Sequence, residues 1–294
     1  MDLKYIVKEN DIHKTVKQVL KNEFKISNRL ILKLKNNNKI FVNNKSEWLD
    51  FVLNVNDIVT VNLDFIEDSS NIVPTKIALD IIYEDDAFLV INKPSGIAIH
   101  PSILHFENSL SNGVKFYFDS INLHRLIRPV NRLDKNTSGL VVFAKNEYIQ
   151  ESLIKQMSQN IFFKEYLCLV NGNFKNNEGI IDVPIARKEN SIIERCVSFE
   201  NGQDSITEYQ VLKNYENFSL VKCKLKTGRT HQIRVHMAYI GHSLLGDDLY
   251  GVESNLIKRQ ALHSHKIEFI HPITNKKVQF ISPLPQDMHN VISF

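Results

Sequence analysis

Cysteine is scarce in this sequence and is not arranged for any cysteine chemistry. The three present, Cys168, Cys196 and Cys223, lie far apart in 294 residues. An odd count at that spacing argues against a disulfide framework and shows no metal-ligand pattern. They read as buried, reduced thiols. Long apolar runs are also missing, so no segment spans a bilayer, and Met1-Asp2-Leu3-Lys4-Tyr5 carries no apolar signal core. A cytoplasmic, monomeric protein away from membranes is expected. No GxGxxG stretch or P-loop occurs, which counts against a nucleotide cofactor. His231 and His236, or His263 and His265, have no cysteine or carboxylate at ligand spacing such as HExxH, so no metal is expected. No repeat at a fixed solenoid period is visible.

What is present fits an ordinary globular protein: 43% hydrophobic and 23% charged residues, with length for one large domain or two unequal ones. The net charge is only +3, but its distribution is uneven. Residues 12–45 hold nine basic side chains against a single acid, Glu23. Lys14, Lys17, Arg29 and Lys33 belong to this stretch and are candidate RNA contacts. A small basic unit on a near-neutral body suits a nucleic-acid-binding appendage, and a solvated helix face suits the same charges equally well.

Helical spacing runs from Asp11, a candidate N-cap, to Phe24, through Ile12, Val16, Val19 and Leu20. Ser27 or Asn28 caps a second short helix with Leu30, Ile31 and Leu34. Strands are expected at 39–45 and 57–63. Residues 67–74 have linker composition, placing a boundary near 72. Beyond it strands predominate, at 79–83, 87–91, 140–144, 164–170, 219–226 and 277–281, with helices at 151–159 and 230–240. The fold class is therefore α+β, with a mixed, mainly antiparallel sheet.

Chemistry gathers in four clusters. Asn131-Arg132-Leu133-Asp134-Lys135-Asn136-Thr137-Ser138-Gly139-Leu140 sets Asp134 between two cations, which favour its ionised, nucleophilic form. Taken alone it reads better as an Arg–Asp pair stabilising a turn. Lys164 to Gly172 places Tyr166 on a strand, where core packing is the default. The other two are Thr227 to His236, with Arg229, His231 and Arg234, and Gly241 to Gly251. Asp247-Asp248 in the last reads as a turn cap.

Together with Asn92-Lys93-Pro94-Ser95-Gly96, His100-Pro101 and the ending Leu262-His263-Ser264…His271-Pro272…Pro283-Leu284-Pro285, these clusters in this order resemble the RluA-type pseudouridine synthases from about Leu79 to Pro285. The resemblance implies a catalytic domain over 73–294 that isomerises uridine in RNA to pseudouridine without metal or redox cofactor. It implies Asp134 as the catalytic carboxylate, adding to C1′ or abstracting a sugar proton. Tyr166 would stack on the displaced uracil, and Arg234 would pair with Asp134. Arg132 would fill the gap left by a flipped nucleotide, with Arg229 and His231 facing RNA or serving the structure. Flipping is needed because a stacked uridine cannot present C1′ and C5 to one carboxylate. Two positions depart from the pattern: Asn131 where many members have histidine, and Ser264 where alanine is usual. Residues 1–72 resemble, more loosely, the αL-type RNA-binding domain named from a ribosomal small-subunit protein.

The expected activity is an RNA pseudouridine synthase acting on large-subunit ribosomal RNA, with transfer RNA as an alternative. Two further alternatives are an N-glycosidic hydrolase, which needs a second carboxylate to activate water, and a non-catalytic RNA-binding protein.

Overall fold

The computed structural model describes residues 1–67, 69–102 and 106–293. Asp68 of the expected linker, residues 103–105 and Phe294 lie outside the described residues.

The chain opens with a strand the sequence pattern does not announce, β1 (Asp2–Ile6), followed by helices α1 (Val16–Asn22) and α2 (Asn28–Asn36) and strands β2 (Ile40–Val42), β3 (Lys45–Ser46) and β4 (Ile58–Asn62). The strands form one antiparallel sheet in the order β1-β4-β2-β3. Helix α1 starts later than expected, and Asp11 is not its cap. His13 adopts a left-handed φ of 67°, which breaks the helical path, and Ile12 is exposed. Thr15 caps instead: its hydroxyl accepts from the Gln18 amide at 3.3 Å, and the Gln18 side chain accepts from the Thr15 amide at 2.7 Å. Asp11 instead binds the Tyr5 hydroxyl and the Lys14 ammonium. Ser27 caps α2 by accepting from Leu30 N. Asn43 and Asn44, at φ 49° and 65°, make the tight turn between β2 and β3. Val16, Val19 and Leu20 pack with Leu30, Ile31, Leu34, Val59 and Val61 in this unit's own core.

The small unit is docked onto the rest. Arg29 and Lys33 of α2 reach Glu147 at 2.7 and 2.5 Å, and Ser27 donates to Glu151 at 2.8 Å. The linker-like segment is also tied down. Glu67 forms a two-point pair with Arg128 at 2.5 and 2.6 Å, and Arg125 binds Asp64 and the Phe65 carbonyl.

The remaining chain comprises β5 (Ile81–Glu84), β6 (Phe88–Lys93), α3 (Leu110–Ser120), β7 (Arg128–Pro129), β8 (Ser138–Ala144), α4 (Glu147–Ser158), β9 (Phe163–Asn171), β10 (Glu178–Asp182), β11 (Ile185–Arg187), β12 (Arg195–Val197), β13 (Ile206–Asn214), β14 (Phe218–Leu225), α5 (Gln232–Tyr239), β15 (Leu262–Ile270), β16 (Lys277–Ile281) and α6 (Gln286–Ile292). Among the described residues, ten strands form one mixed sheet in the order β10-β13-β14-β9-β15-β8-β6-β5, with β16 beside β15 and β7 beside β8. Only the β15–β8 pairing in this sheet is parallel; the rest are antiparallel.

Strand β8 is buried along its whole length because both of its faces are covered. Val141 and Phe143 face the cluster shared with α3 and α5, while Leu140, Val142 and Ala144 face the one shared with α4. Gly139, at φ 109°, lies against the backbone of Ser264, where a side chain would collide. Cys168 and Cys223 are buried as expected, 3.7 Å apart as free thiols, whereas Cys196 is only partly buried, on the short β12. No helix among the described residues is long and apolar enough to cross a membrane.

Candidate active site

Asp134 sits in the turn between β7 and β8, closed by Thr137 N donating to the Asp134 carbonyl at 3.1 Å. The turn hangs from its neighbours by its backbone. Lys93 Nζ and Gly96 N donate to the Lys135 carbonyl at 2.9 and 3.0 Å, while Ser95 Oγ and Arg259 Nη1 donate to the Asn136 carbonyl at 3.0 and 3.1 Å. Asn131 holds the other end. Its amide donates to Leu140 O at 3.0 Å and its carbonyl accepts from Val142 N at 2.9 Å, so the side chain continues the ladder of β8. That is a supporting role for the loop. Lys93 is fully buried, with its remaining donors on Pro94 O and Ile97 O, and burial pushes its ammonium down to about 7.

Arg234 comes from the first turn of α5, and its expected pairing is redistributed. Nε and Nη2 grip Asp247 at 2.8 and 2.7 Å, and only Nη1 reaches Asp134, at 3.4 Å. The fully buried Asp247 thus holds the guanidinium, and the less buried Asp134 carboxylate rests against its free edge. Asp247 also accepts from Leu249 N and Tyr250 N, so it is a turn cap as well as an anchor. Gly246, at φ 66° and pressed against the backbone of Ile257 and Arg259, allows this turn. Tyr250 places its ring 5.0 Å from the guanidinium carbon.

His231 lies 3.8 Å from Asp134 through Nε2, and its Nδ1 meets the Tyr250 hydroxyl at 2.8 Å. That hydroxyl also accepts from Arg195 N. Burial lowers the His231 pKa against the pull of Asp134, favouring the neutral ring. Tyr166, almost wholly buried on β9, pairs in register with Ser264 of β15. Burial, and then the charge of Asp134, push its phenol up, so it stays protonated.

These groups open into one cleft of about 870 Å³, in whose lining Asp134 is the single acid among the described residues. Arg132 and Arg229 line it as exposed cations, and Arg229 donates from Nε to the Asp204 carbonyl at 3.1 Å. Arg132, Asp134, Tyr166, Arg229, His231 and Arg234 therefore converge. Lys14, Lys17, Arg29 and Lys33 lie on the small unit and do not line the cleft. Lys14 pairs with Asp11, Arg29 and Lys33 pair with Glu147, and Lys17 is exposed. Four participants escaped the sequence reading: Asp247 as an anchor, Tyr250, Lys93 and Arg259. Each lay inside or beside a quoted cluster, but nothing local says which buried polar group its side chain will meet.

A family model described as RNA pseudouridylate synthase matches residues 87–239. The uncharacterized RNA pseudouridine synthase YjbO of Bacillus subtilis is 37% identical over 271 residues, 92% of this chain and 95% of that one. Ribosomal large subunit pseudouridine synthase D of Zymomonas mobilis is 39% identical over 229 residues, 73% of this chain and 72% of that one. Among solved structures, human RNA pseudouridylate synthase domain containing 1 superposes with a TM-score of 0.59 at 27% identity, over 70% of this chain and 83% of that one. The family match covers the Asp134 turn, Tyr166 and Arg234 in one segment, and the relatives extend it over most of the chain. This chain is accordingly an isomerase acting on RNA and belongs to the RNA pseudouridylate synthase family, in its RluA-type branch.

Proposed function

We propose that the chain converts uridine to pseudouridine in large-subunit ribosomal RNA, with Asp134 as the nucleophile. The observation that carries this reading is the single carboxylate in a cationic cleft, resting against a guanidinium whose firmer partner is elsewhere. Such a group is oriented yet keeps lone pairs free. The relatives named for the ribosomal large subunit support the choice of RNA. In this scheme the N1–C1′ bond breaks, the uracil turns, C1′ bonds to C5, and the C5 proton is lost as N1 regains one, so the base is conserved. Arg132 fills the space vacated by the flipped nucleotide. Arg229 and His231 meet RNA at the rim, and Tyr166 stacks on the uracil.

A protonated phenol is a poor base. If Asp134 adds to C1′, however, its negative charge passes to the departing uracil, and a proton given by the phenol to N1 leaves Tyr166 as the phenolate. Tyr166 is then better suited to take the C5 proton after addition than before it. A hydrolase is disfavoured by the absence of a second acid from the cleft lining. We further assign residues 1–72 to an RNA-binding domain and 73–294 to the catalytic domain of a cytoplasmic monomer.

The test is incubation with unmodified large-subunit ribosomal RNA and with transfer RNA, reading pseudouridine and free uracil. Pseudouridine in the ribosomal transcript without released uracil is expected. Released uracil overturns the isomerase assignment, and modification of transfer RNA alone overturns the substrate.

A further inference from the structure

Among the described residues, one cation withdrawn from solvent in the cleft has no counterpart. Lys164 lies on β9 two residues before Tyr166, so both side chains leave the same face of the strand. Among the described residues no carboxylate pairs with its ammonium and no acceptor meets it, and burial lowers its pKa with no opposing charge. The other cations of the cleft differ. Arg234 is held by Asp247, Lys226 lies 3.2 Å from Glu208, and Arg132 and Arg229 are open to solvent. An ammonium drawn out of water without a partner is unfavourable until an anion reaches it.

The position of Lys164 indicates which anion. It lines both the catalytic cleft and a second groove of about 410 Å³, sharing this boundary with Leu225 and Lys226. Opposite it the wall is Gly228, where a methyl group would stand 3.2 Å from Nζ. The missing side chain leaves room beside the ammonium. Beyond the boundary Glu208 and Glu268 are taken up by Lys226, Lys266 and Lys277, while Lys224 and its cross-strand neighbour Glu165 have no ion pair among the described residues. A polyanion crossing from the cleft would meet Lys164 first and Lys224 next.

We propose that Lys164 binds a backbone phosphate of the RNA substrate at the point where the strand leaves the catalytic cleft for the second groove. The contact is ionic and independent of sequence, and it secures the segment flanking the target on one side.

Steady-state kinetics of Lys164→Gln and Lys164→Arg over a range of salt concentrations test this. The glutamine variant is expected to raise KM about tenfold, with the loss falling on KM rather than kcat. It should reduce the slope of log kcat/KM against log salt by about 0.7, the share of one phosphate on a single strand. Arginine should restore both. Removing the RNA on one side of the target, but not the other, should make the enzyme insensitive to Lys164→Gln. Lys224→Glu, on an exposed side chain, should weaken use of the full RNA and not of that truncated one. An unchanged salt slope with raised KM would mean a contact to the base and overturn the proposal. So would a fall in kcat alone, which would mean support of Tyr166. Should the glutamine variant not fold, an effect of Lys224→Glu that is equal on both RNAs overturns the strand path.

Discussion

Asp134 is spared a tight ion pair because Asp247 takes the two best-directed donors of Arg234. The division predicts opposite behaviour for the two acids. Asp134→Ala removes a partly exposed group with two long contacts, to Arg234 and His231, so thermal unfolding should move by less than about 1 kcal/mol, while pseudouridine formation falls by at least about a thousandfold. Asp247→Asn leaves the buried guanidinium without its counter-charge. It should cost about 3–5 kcal/mol of stability in denaturant titration, and activity should fall along with it. Asp134 was legible from its own segment only as an acid in a turn between two cations, which taken alone suits an Arg–Asp pair; its catalytic role came from the resemblance over the four clusters. Asp247 was legible only as a turn residue. Its capping of Leu249 and Tyr250 is local, whereas its grip on Arg234, thirteen residues back, depends on how α5 packs.

The Asp134 turn is an element without regular structure, and its rigidity comes from donors beneath it. As an ammonium Lys93 supplies one of these interactions, to the Lys135 carbonyl, and two more to Pro94 O and Ile97 O, at a cost in proton affinity, its pKa falling from 10.5 to about 7. Between those values the unfolded chain binds this proton and the folded chain does not. The lysine's contribution therefore makes folding stability rise with pH across roughly pH 7 to 10. Lys93→Met should lower stability overall, by about 1–3 kcal/mol for each carbonyl left without its donor, and should abolish that rise. Thermal midpoints of both proteins at pH 7 and pH 9 check this, and an equal pH response in the two would contradict it. Elements with strong apolar periodicity, such as β8, β9, β14 and α5, were legible in the sequence. Helix α3 was not, because Ser111, Asn112 and Gly113 in its first turn read as loop. The glycine is there because Ile77 and Leu79 pack against it. Strand β13 was hidden by its polar face, and β1 by the lack of any flanking turn signal.

At the scale of the whole molecule, charge in residues 12–45 serves two ends that composition cannot separate. Arg29 and Lys33 dock the small unit onto the buried Glu147, while Lys17, Lys21 and Lys25 stay exposed without ion pairs among the described residues. Replacing those three lysines by glutamine should weaken RNA binding and flatten its salt dependence, because fewer counterions are released. Arg29→Gln with Lys33→Gln should instead loosen the docking of the small unit, read as faster proteolysis within residues 64–72. An unchanged salt slope in the triple variant would exclude the small unit from RNA binding. The account as a whole stands on chemistry at Asp134. Its most direct test is a pseudouridine map of total RNA from cells lacking this protein, complemented by the parent chain or by Asp134→Asn. At least one site in large-subunit ribosomal RNA should be lost, and it should return with the parent alone. Identical maps with and without the protein, or rescue by the asparagine variant, would contradict the account.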